Sequence, residues 1–361
     1  MSLSQFDALS KIRFHHDWVT AYKRGEVVAP ISVEMDLTNR CNYGCPNCVW
    51  GEYIGGNRAH VPHEQALQQV RDCAAAGVKA IIFSGGGEPL LNRATPDAIR
   101  LAKELGMSVG LFTHGQLITP EIAEVLVDHC DWARIHLDGA TPETYTRRHR
   151  LQASNLERVR GNLTGLHELA GARGSAIEVG IGAVINPDNV ADLPGLAAFA
   201  YETGCKYLQT KHDFELLPFK HYTEWWEREV VPQLVALKAH YAPLNFGIQF
   251  TTADYTRAPT ALTCHIHHLT TAINAEGEVV YCKRLRDKTE WATGNVGEEP
   301  LADILHGERN RQLSQDVTPQ NCGINCPYIE LNEHIDRLVN AADDDDDAAA
   351  RGGEVRHPNF F

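Results

Sequence analysis

No run of about eighteen apolar residues occurs anywhere in this chain, which excludes a transmembrane helix. Its first residues, Met1-Ser2-Leu3-Ser4-Gln5-Phe6, lack the basic stretch and apolar core of a secretory signal, so the cytoplasm is the expected compartment. Positive charge is in deficit: 33 Lys and Arg stand against 47 Asp and Glu, a formal net charge of −14. A chain of that sign repels phosphate backbones, which argues against nucleic acid as a partner. Five of the acids form one run, Asp343 to Asp347, and the rest are dispersed. What is present is length and apolar content, 361 residues of which 43% are hydrophobic, enough for a large α/β domain and a smaller one. There are also ten cysteines. Inside a reducing compartment, clustered cysteines point to metal binding before disulfides.

After a polar helical stretch over about 4–24, short runs rich in Ile, Val and Leu alternate with helical segments. Strands are expected over 31–37, 78–84, 107–112, 133–138, 177–185 and 206–210, each apolar enough to be buried on both faces. Thr95-Pro96, Thr119-Pro120 and Thr141-Pro142 put a capping hydroxyl before a proline at the first helical position, and Gly77 and Gly106 supply stops. Six β/α units imply a parallel sheet, two short of a full barrel; a curved partial barrel and a flat doubly wound sheet both satisfy the pattern. In either, the loops at the strand C-termini form the active face. A helix over about 221–241 follows, kinked by Pro232 and carrying Trp225 and Trp226 as packing residues. From Thr251 the chain turns to short strands, turns and cysteines, and residues 341–361 read as a flexible acidic tail.

Directly after the first strand comes Cys41-Asn42-Tyr43-Gly44-Cys45-Pro46-Asn47-Cys48. Three thiolates on one loop can ligate three irons of a cubane and leave the fourth open, the condition for a catalytic metal. From this spacing alone a zinc site stays open as an alternative. The C-x₃-C-x₂-C pattern resembles the signature of the radical S-adenosylmethionine (SAM) superfamily. Gly85-Gly86-Gly87-Glu88-Pro89 at the end of the second strand resembles that family's GGEP motif in sequence and position. The resemblance implies a [4Fe–4S] cluster on Cys41, Cys45 and Cys48 and SAM on its open iron, cleaved to a 5′-deoxyadenosyl radical. A reducing protein such as flavodoxin or ferredoxin would supply the electron. It also favours the curved form, a partial (β/α)6 TIM-like barrel over 31–250, after an N-terminal helical extension, 1–30. Cofactor contacts are expected from Gly86, Gly87, Glu88, Pro89, Thr113, His114, His136 and Asp138. Two of these depart from the family's usual residues: His114 stands where asparagine is common and His136 where serine is. Asn47 replaces the usual aromatic before the third cysteine, and Trp50 is the candidate substitute. His136 reads equally as a ribose contact, a base or a core histidine.

Cys264, Cys282, Cys322 and Cys326 form a second group, split between a predicted hairpin with a Glu276-Gly277 turn and a C-x₃-C pair. Two pairs of cysteines also suit zinc. The C-x₉₋₁₅-G-x₄-C start resembles the SPASM/twitch extension of radical SAM enzymes, and four cysteines fit the shorter form with one auxiliary [4Fe–4S] cluster. That implies a small C-terminal α+β iron–sulfur domain over 251–340. His265, His267 and His268 are read as neighbours of that centre and not ligands.

Cys73, Cys130 and Cys205 sit mid-helix or before strands, badly placed to return a hydrogen atom, which tilts the reading from epimerisation towards oxidation of a carbinol carbon. A polar rim after the last strand, Gln209, Lys211, His212, Asp213 and Glu215, with Arg284, Arg286 and Asp287 opposite, suits a polar small molecule such as a sugar or aminocyclitol. Lys211, His136 and Asp213 are the candidate catalytic groups. Maturation of a ribosomal peptide is the alternative, disfavoured here because only about thirty residues precede the first strand. The competing class is a non-catalytic zinc or iron–sulfur binding protein.

Overall fold

The computed structural model describes residues 6–250, 257–322, 325–341 and 355–361. Six strands, β1 (Ser32–Asp36), β2 (Ala80–Ser84), β3 (Ser108–Thr113), β4 (Trp132–His136), β5 (Glu178–Ile185) and β6 (Tyr207–His212), fall where the apolar runs place them. A seventh, β7 (Gly247–Gln249), joins β6 in parallel. Its three residues are too few to leave a periodic signature. Three more follow: β8 (Thr270–Ile273), β9 (Glu278–Val280) and β10 (Ala292–Asn295). All ten form one sheet, in the order β10-β9-β8-β1-β2-β3-β4-β5-β6-β7. Strand β8 lies parallel to β1, so the barrel sheet and the strands of the cysteine-rich region are continuous.

Alternate residues divide the sheet into two faces. Val33, Met35, Ile81, Phe83, Val109, Leu111, Ala133, Ile135, Ile181 and Ala183 are buried against the surrounding helices in the main core. The opposite face carries Ile82, Phe112, Trp132, Arg134, Tyr207 and Lys211 and lines a cavity. Strands β3 and β6 are three places apart, roughly 14 Å along a flat sheet, yet the Lys211 ammonium lies 5.5 Å from the Phe112 ring. The sheet is therefore curled with this face inward, as in a partial barrel. A Cβ at Gly110 or Gly180 would strike the Trp132 or Tyr207 ring, so these glycines make room for the large side chains.

The helices begin and end largely as the sequence indicates. Thr119 and Thr141 accept from the N–H groups of Ile122 and Thr144, and Gly77 closes its helix with φ 94°. Thr95 differs: it lies inside its helix, and its hydroxyl donates to the Pro89 carbonyl at 2.6 Å. The 221–241 segment is helical but broken by a π-turn, Trp226–Val230, immediately before Pro232. Trp226 is fully buried against His212. The N-terminal helices Ala8–Lys11 and His16–Lys23 pack with the late helix Ile329–Asn340 through Ile12, Leu331 and Ile335.

The tail differs from its reading. Residues 342–354, including the Asp343 to Asp347 run, lie outside the described residues, but 355–361 are docked. Phe360 is buried beside Ala80, Ile82 and Trp132 at the N-terminal end of the barrel, and Arg356 pairs with Glu178. Composition of the acidic run masked two terminal aromatics, of which Phe360 alone removes enough area from water to contribute about 2 kcal/mol.

Candidate active site

The cysteine loop is held by the segment that follows β2. The Gly87 N–H donates to the Thr38 carbonyl at 3.1 Å and the Glu88 N–H to the Arg40 carbonyl at 2.9 Å. A Cβ on Gly87 would fall on the Arg40 carbonyl, and one on Gly86 on the Asn39 side chain. Glycine is needed here so that the two loops touch, in addition to any approach to a cofactor; Gly86, Gly87 and Pro89 also line the cavity. Glu88 is buried and its carboxylate is taken up by the Thr113 hydroxyl at 2.6 Å and the His114 N–H at 2.9 Å. It braces β2 to β3.

Cys41, Cys45 and Cys48 are free, half-buried, and line one side of this cavity of about 760 Å³. Burial pushes the Cys41 thiol up to about 11 and raises Cys45 and Cys48 as well. Such thiols ionise together only against a bound cation, which an iron–sulfur cluster supplies. Among the described residues no three His, Cys, Asp or Glu side chains converge as one metal ion requires. Around a cubane each thiolate bonds a different iron and no such convergence is needed. The second set behaves alike: Cys264, Cys282, Cys322 and Cys326 line a separate cavity of about 220 Å³. Burial pushes Cys264 up to about 12 and Cys326 to about 11. Gly323 and Ile324 of the C-x₃-C pair lie outside the described residues. Of the neighbouring histidines, His265 and His267 are buried: His265 sits between Tyr22 and Asp336, and His267 stacks on Tyr281.

The other candidate residues separate into those that face the cavity and those that build its walls. His136 is half-exposed to it, with Nε2 3.2 Å from Asp138. Lys211 lines it, and burial, reinforced by Arg134, pushes its ammonium down to about 7. Gln209 lines it with Oε1 lacking a partner among the described residues. Trp50 lines it under the Arg286 guanidinium, 4.9 Å from the ring. Asp213, expected as catalytic, does not line it: its buried carboxylate accepts from Asn47 at 3.2 Å and Asn186 at 3.1 Å. The alternation along β6 ends at His212, and past the strand the chain turns Asp213 inward. Asp138 is buried too. Burial would raise it, but His136, His149 and Arg148 outweigh that and hold it well below the carboxylate range. His114 stacks on Tyr43 at 3.9 Å and places Nε2 2.8 Å from the Asn42 Oδ1, so it shapes the cysteine loop while bordering the cavity. Asn47 accepts from Arg148 at 3.0 Å, a structural use in place of the missing aromatic.

His149 escapes sequence reasoning. It ends the helix Pro142–His149, in a basic last turn that reads as a solvated face, yet it is fully buried. Its Nε2 accepts from the Asp138 N–H at 3.1 Å, which leaves the proton on Nδ1, 3.4 Å from the Cys45 sulfur. A donor to a ligating thiolate stabilises the reduced, more negative cluster. His149→Phe should therefore shift the midpoint potential of the first cluster to a more negative value. A redox titration followed by EPR reads this directly, and an unshifted potential removes the hydrogen bond from the account.

Both cysteine sets fall within stretches that match known families. Residues 35–199 match the Radical SAM superfamily, and residues 264–327 match SPASM, an iron-sulfur cluster-binding domain. The S-adenosylmethionine-dependent nucleotide dehydratase of Lacinutrix mariniflava is 35% identical over 129 residues, 34% of this chain and 26% of that protein, so only a part of it is spanned. The PqqA peptide cyclase of Xanthomonas campestris pv. campestris is 25% identical over 326 residues, 85% of this chain and 81% of that protein. In fold, the chain is similar to SuiB of Streptococcus suis bound to S-adenosylmethionine, with TM-score 0.62 at 15% identity, covering 80% of this chain and 68% of that one. Cofactors follow from the domains: a [4Fe–4S] cluster with SAM in the first and auxiliary iron–sulfur binding in the second. The chain thus carries a Radical SAM domain followed by a SPASM iron-sulfur domain, matching a radical SAM enzyme with a SPASM-like auxiliary domain.

Proposed function

We propose that this enzyme modifies a peptide, by removing a hydrogen atom from one of its carbons in the cavity between the Cys41–Cys48 loop and the cysteine-rich region. The observation that carries the reading is the PqqA peptide cyclase, whose similarity runs through both domains. The size of the cavity, about 760 Å³, suits an amino-acid side chain with its flanking backbone. Support for the sugar or aminocyclitol dehydrogenation expected from the polar rim is correspondingly weaker. When bound, SAM and the reduced cluster supply a 5′-deoxyadenosyl radical. Cys41, Cys45 and Cys48 hold that cluster, His149 tunes it, and His136 and Gln209 present polar atoms to the bound molecules. Four cysteines around the second cavity suit one auxiliary [4Fe–4S] cluster, which would take up an electron from a substrate radical. Cys73, Cys130 and Cys205 are buried and line neither cavity, which counts against a thiol returning hydrogen to the product.

The test is anaerobic reconstitution to about eight irons per chain, as two cysteine-ligated cubanes require. Assay then follows with peptides encoded beside the gene and with a panel of aminocyclitols. Peptide-dependent 5′-deoxyadenosine, with transfer of deuterium from the labelled peptide and a product about 2 Da lighter, is the expected result. Turnover with an aminocyclitol and none with any peptide would reverse the reading.

A further inference from the structure

Several cations that face the cavity lack an ion-pair partner among the described residues. Of the acids that line it, Glu34, Asp138 and Glu178 already have cationic partners and Glu88 has hydroxyl and N–H donors, while Asp7, whose charge acts on Lys11, and Glu330 line it as well. Glu34 binds Lys283 and Arg286, Asp36 binds Arg286, Asp138 binds Arg148, and Glu178 binds Arg356. Four cations remain that face the same space: Lys11, Arg134, Lys211 and Arg284. Among the described residues no carboxylate lies within ion-pair distance of any of them. Lys11 reaches only the Phe360 carbonyl, at 2.6 Å. Arg134 donates Nε to the Tyr207 hydroxyl at 3.2 Å and lies among the Phe6, Phe112, Trp132 and Tyr207 rings. Lys211 faces the Phe112 ring, and Arg284 lies 4.0 Å over Phe214 with a buried Nε that has no acceptor among the described residues.

Buried charges in proteins are normally paired, because an isolated one loses its hydration. Aromatic faces recover only part of that loss and do not replace a counter-ion. The strain is visible in the lysines: burial first, and Arg134 next, pushes both Lys11 and Lys211 down to about 7. These cations come from the N-terminal helix, β4, β6 and the loop after β9, so they converge through the fold and not through one basic stretch. In a chain of net charge −14 such a convergence is not a by-product of composition.

We infer that the cavity is built to hold an oxyanion of the substrate, a carboxylate or a phosphate, between Lys211, Arg134 and Arg284. The inference rests on the reading of this cavity as the substrate site and adds the chemical class of the group it grips. Lys211 and Arg134 hold the anion from the strands, and Arg284 approaches it from beside Cys282. A neutral polyol would leave all of them unpaired. An anionic side chain of a peptide, or a phosphate group, completes the site.

Binding is measured without turnover, on reconstituted and unreduced holoenzyme saturated with SAM, by titration calorimetry. The probes are N-acetyl-glutamic acid amide against N-acetyl-glutamine amide, and inorganic pyrophosphate against methylurea as a neutral control. The expected result is at least a tenfold preference for one anion over its neutral counterpart, weakened by salt. The better anion tells carboxylate from phosphate. Lys211→Met and Arg134→Gln should each reduce its affinity at least tenfold, with iron content per chain showing that the variants fold. Equal binding of charged and neutral probes overturns the inference, as does undiminished affinity in both variants. Because no radical is formed, this result is separable from whether peptides are turned over.

Discussion

Arg286→Met should destabilise the enzyme by about 3–5 kcal/mol, the cost of leaving a buried charge without its partner. Arg286 is 3% exposed and joins the cysteine-rich region to the first strand of the barrel. Its Nη1 lies 2.8 and 2.9 Å from the two Asp36 oxygens, its Nη2 2.5 Å from Glu34, and its Nε donates to the Lys283 carbonyl at 3.1 Å. Burial would raise Glu34, but Lys283 and Arg286 overcome it and hold that carboxyl at about 2. Asp36 behaves oppositely: burial, with Glu34 beside it, pushes its carboxyl up to about 6 despite the arginine. Without Arg286 both carboxyls rise, Glu34 from its low value and Asp36 from its raised one. A carboxyl whose folded value is raised destabilises the fold above its unfolded value and has no effect below it. The deficit of the variant should therefore grow as pH rises from about 4 through 6 and beyond, and shrink in acid. Urea unfolding across that range measures it. Adding Asp36→Asn should recover part of the loss, and a deficit under about 1 kcal/mol would show that water already solvates the pair. The same arginine reaches the cofactor side, because Asp36 also accepts the Gly86 N–H at 3.2 Å.

That linkage marks where the sequence stops being legible. The six main strands, the two capping threonines at 119 and 141, and both cysteine sets can be read locally, from apolar runs, from Thr-Pro pairs and from spacing. Each is a property of a few neighbouring residues. Arg286 and Asp36, 250 positions apart, meet only because β8 lies parallel to β1, and nothing in either segment announces that pairing. His149 and Cys45 meet 104 positions apart for the same kind of reason. Alternation along β6 places the polar rim correctly at Gln209 and Lys211 and fails at Asp213, one residue past the strand. Lys11 and Arg134 carry no local mark of a site. Their cationic heads look solvated in a sequence, and only the curl of the sheet and the return of the N-terminal helix turn them inward.

Gly87→Ala should abolish most SAM cleavage while leaving the fold intact. The atoms an added Cβ would meet are the Arg40 carbonyl oxygen and carbon and the Asn39 carbonyl carbon, all backbone, so no side chain can swing aside. Relief requires the loop after β2 to lift from the cysteine loop, breaking the Gly87-to-Thr38 and Glu88-to-Arg40 hydrogen bonds that fix the residues just before Cys41. Overpacking of this kind costs about 1–3 kcal/mol, roughly a 5- to 150-fold change in the population of the competent loop. The helix-facing core does not include Gly87, so far-ultraviolet circular dichroism should match the parent. Iron retained by the first cluster should fall, and 5′-deoxyadenosine formation with it. Gly55→Ala is the control: a Cβ there meets nothing within 4 Å, and the residue lies in the short helix Gly51–Gly56 just beyond the cysteines. It should retain its iron and its activity, since alanine in a helix is if anything favourable. If Gly87→Ala keeps its iron and cleaves SAM at the parental rate, the two loops are not the rigid unit that the hydrogen bonds describe. The role of the glycines would then revert to giving the cofactor backbone access, which the larger Gly87→Val would still disrupt.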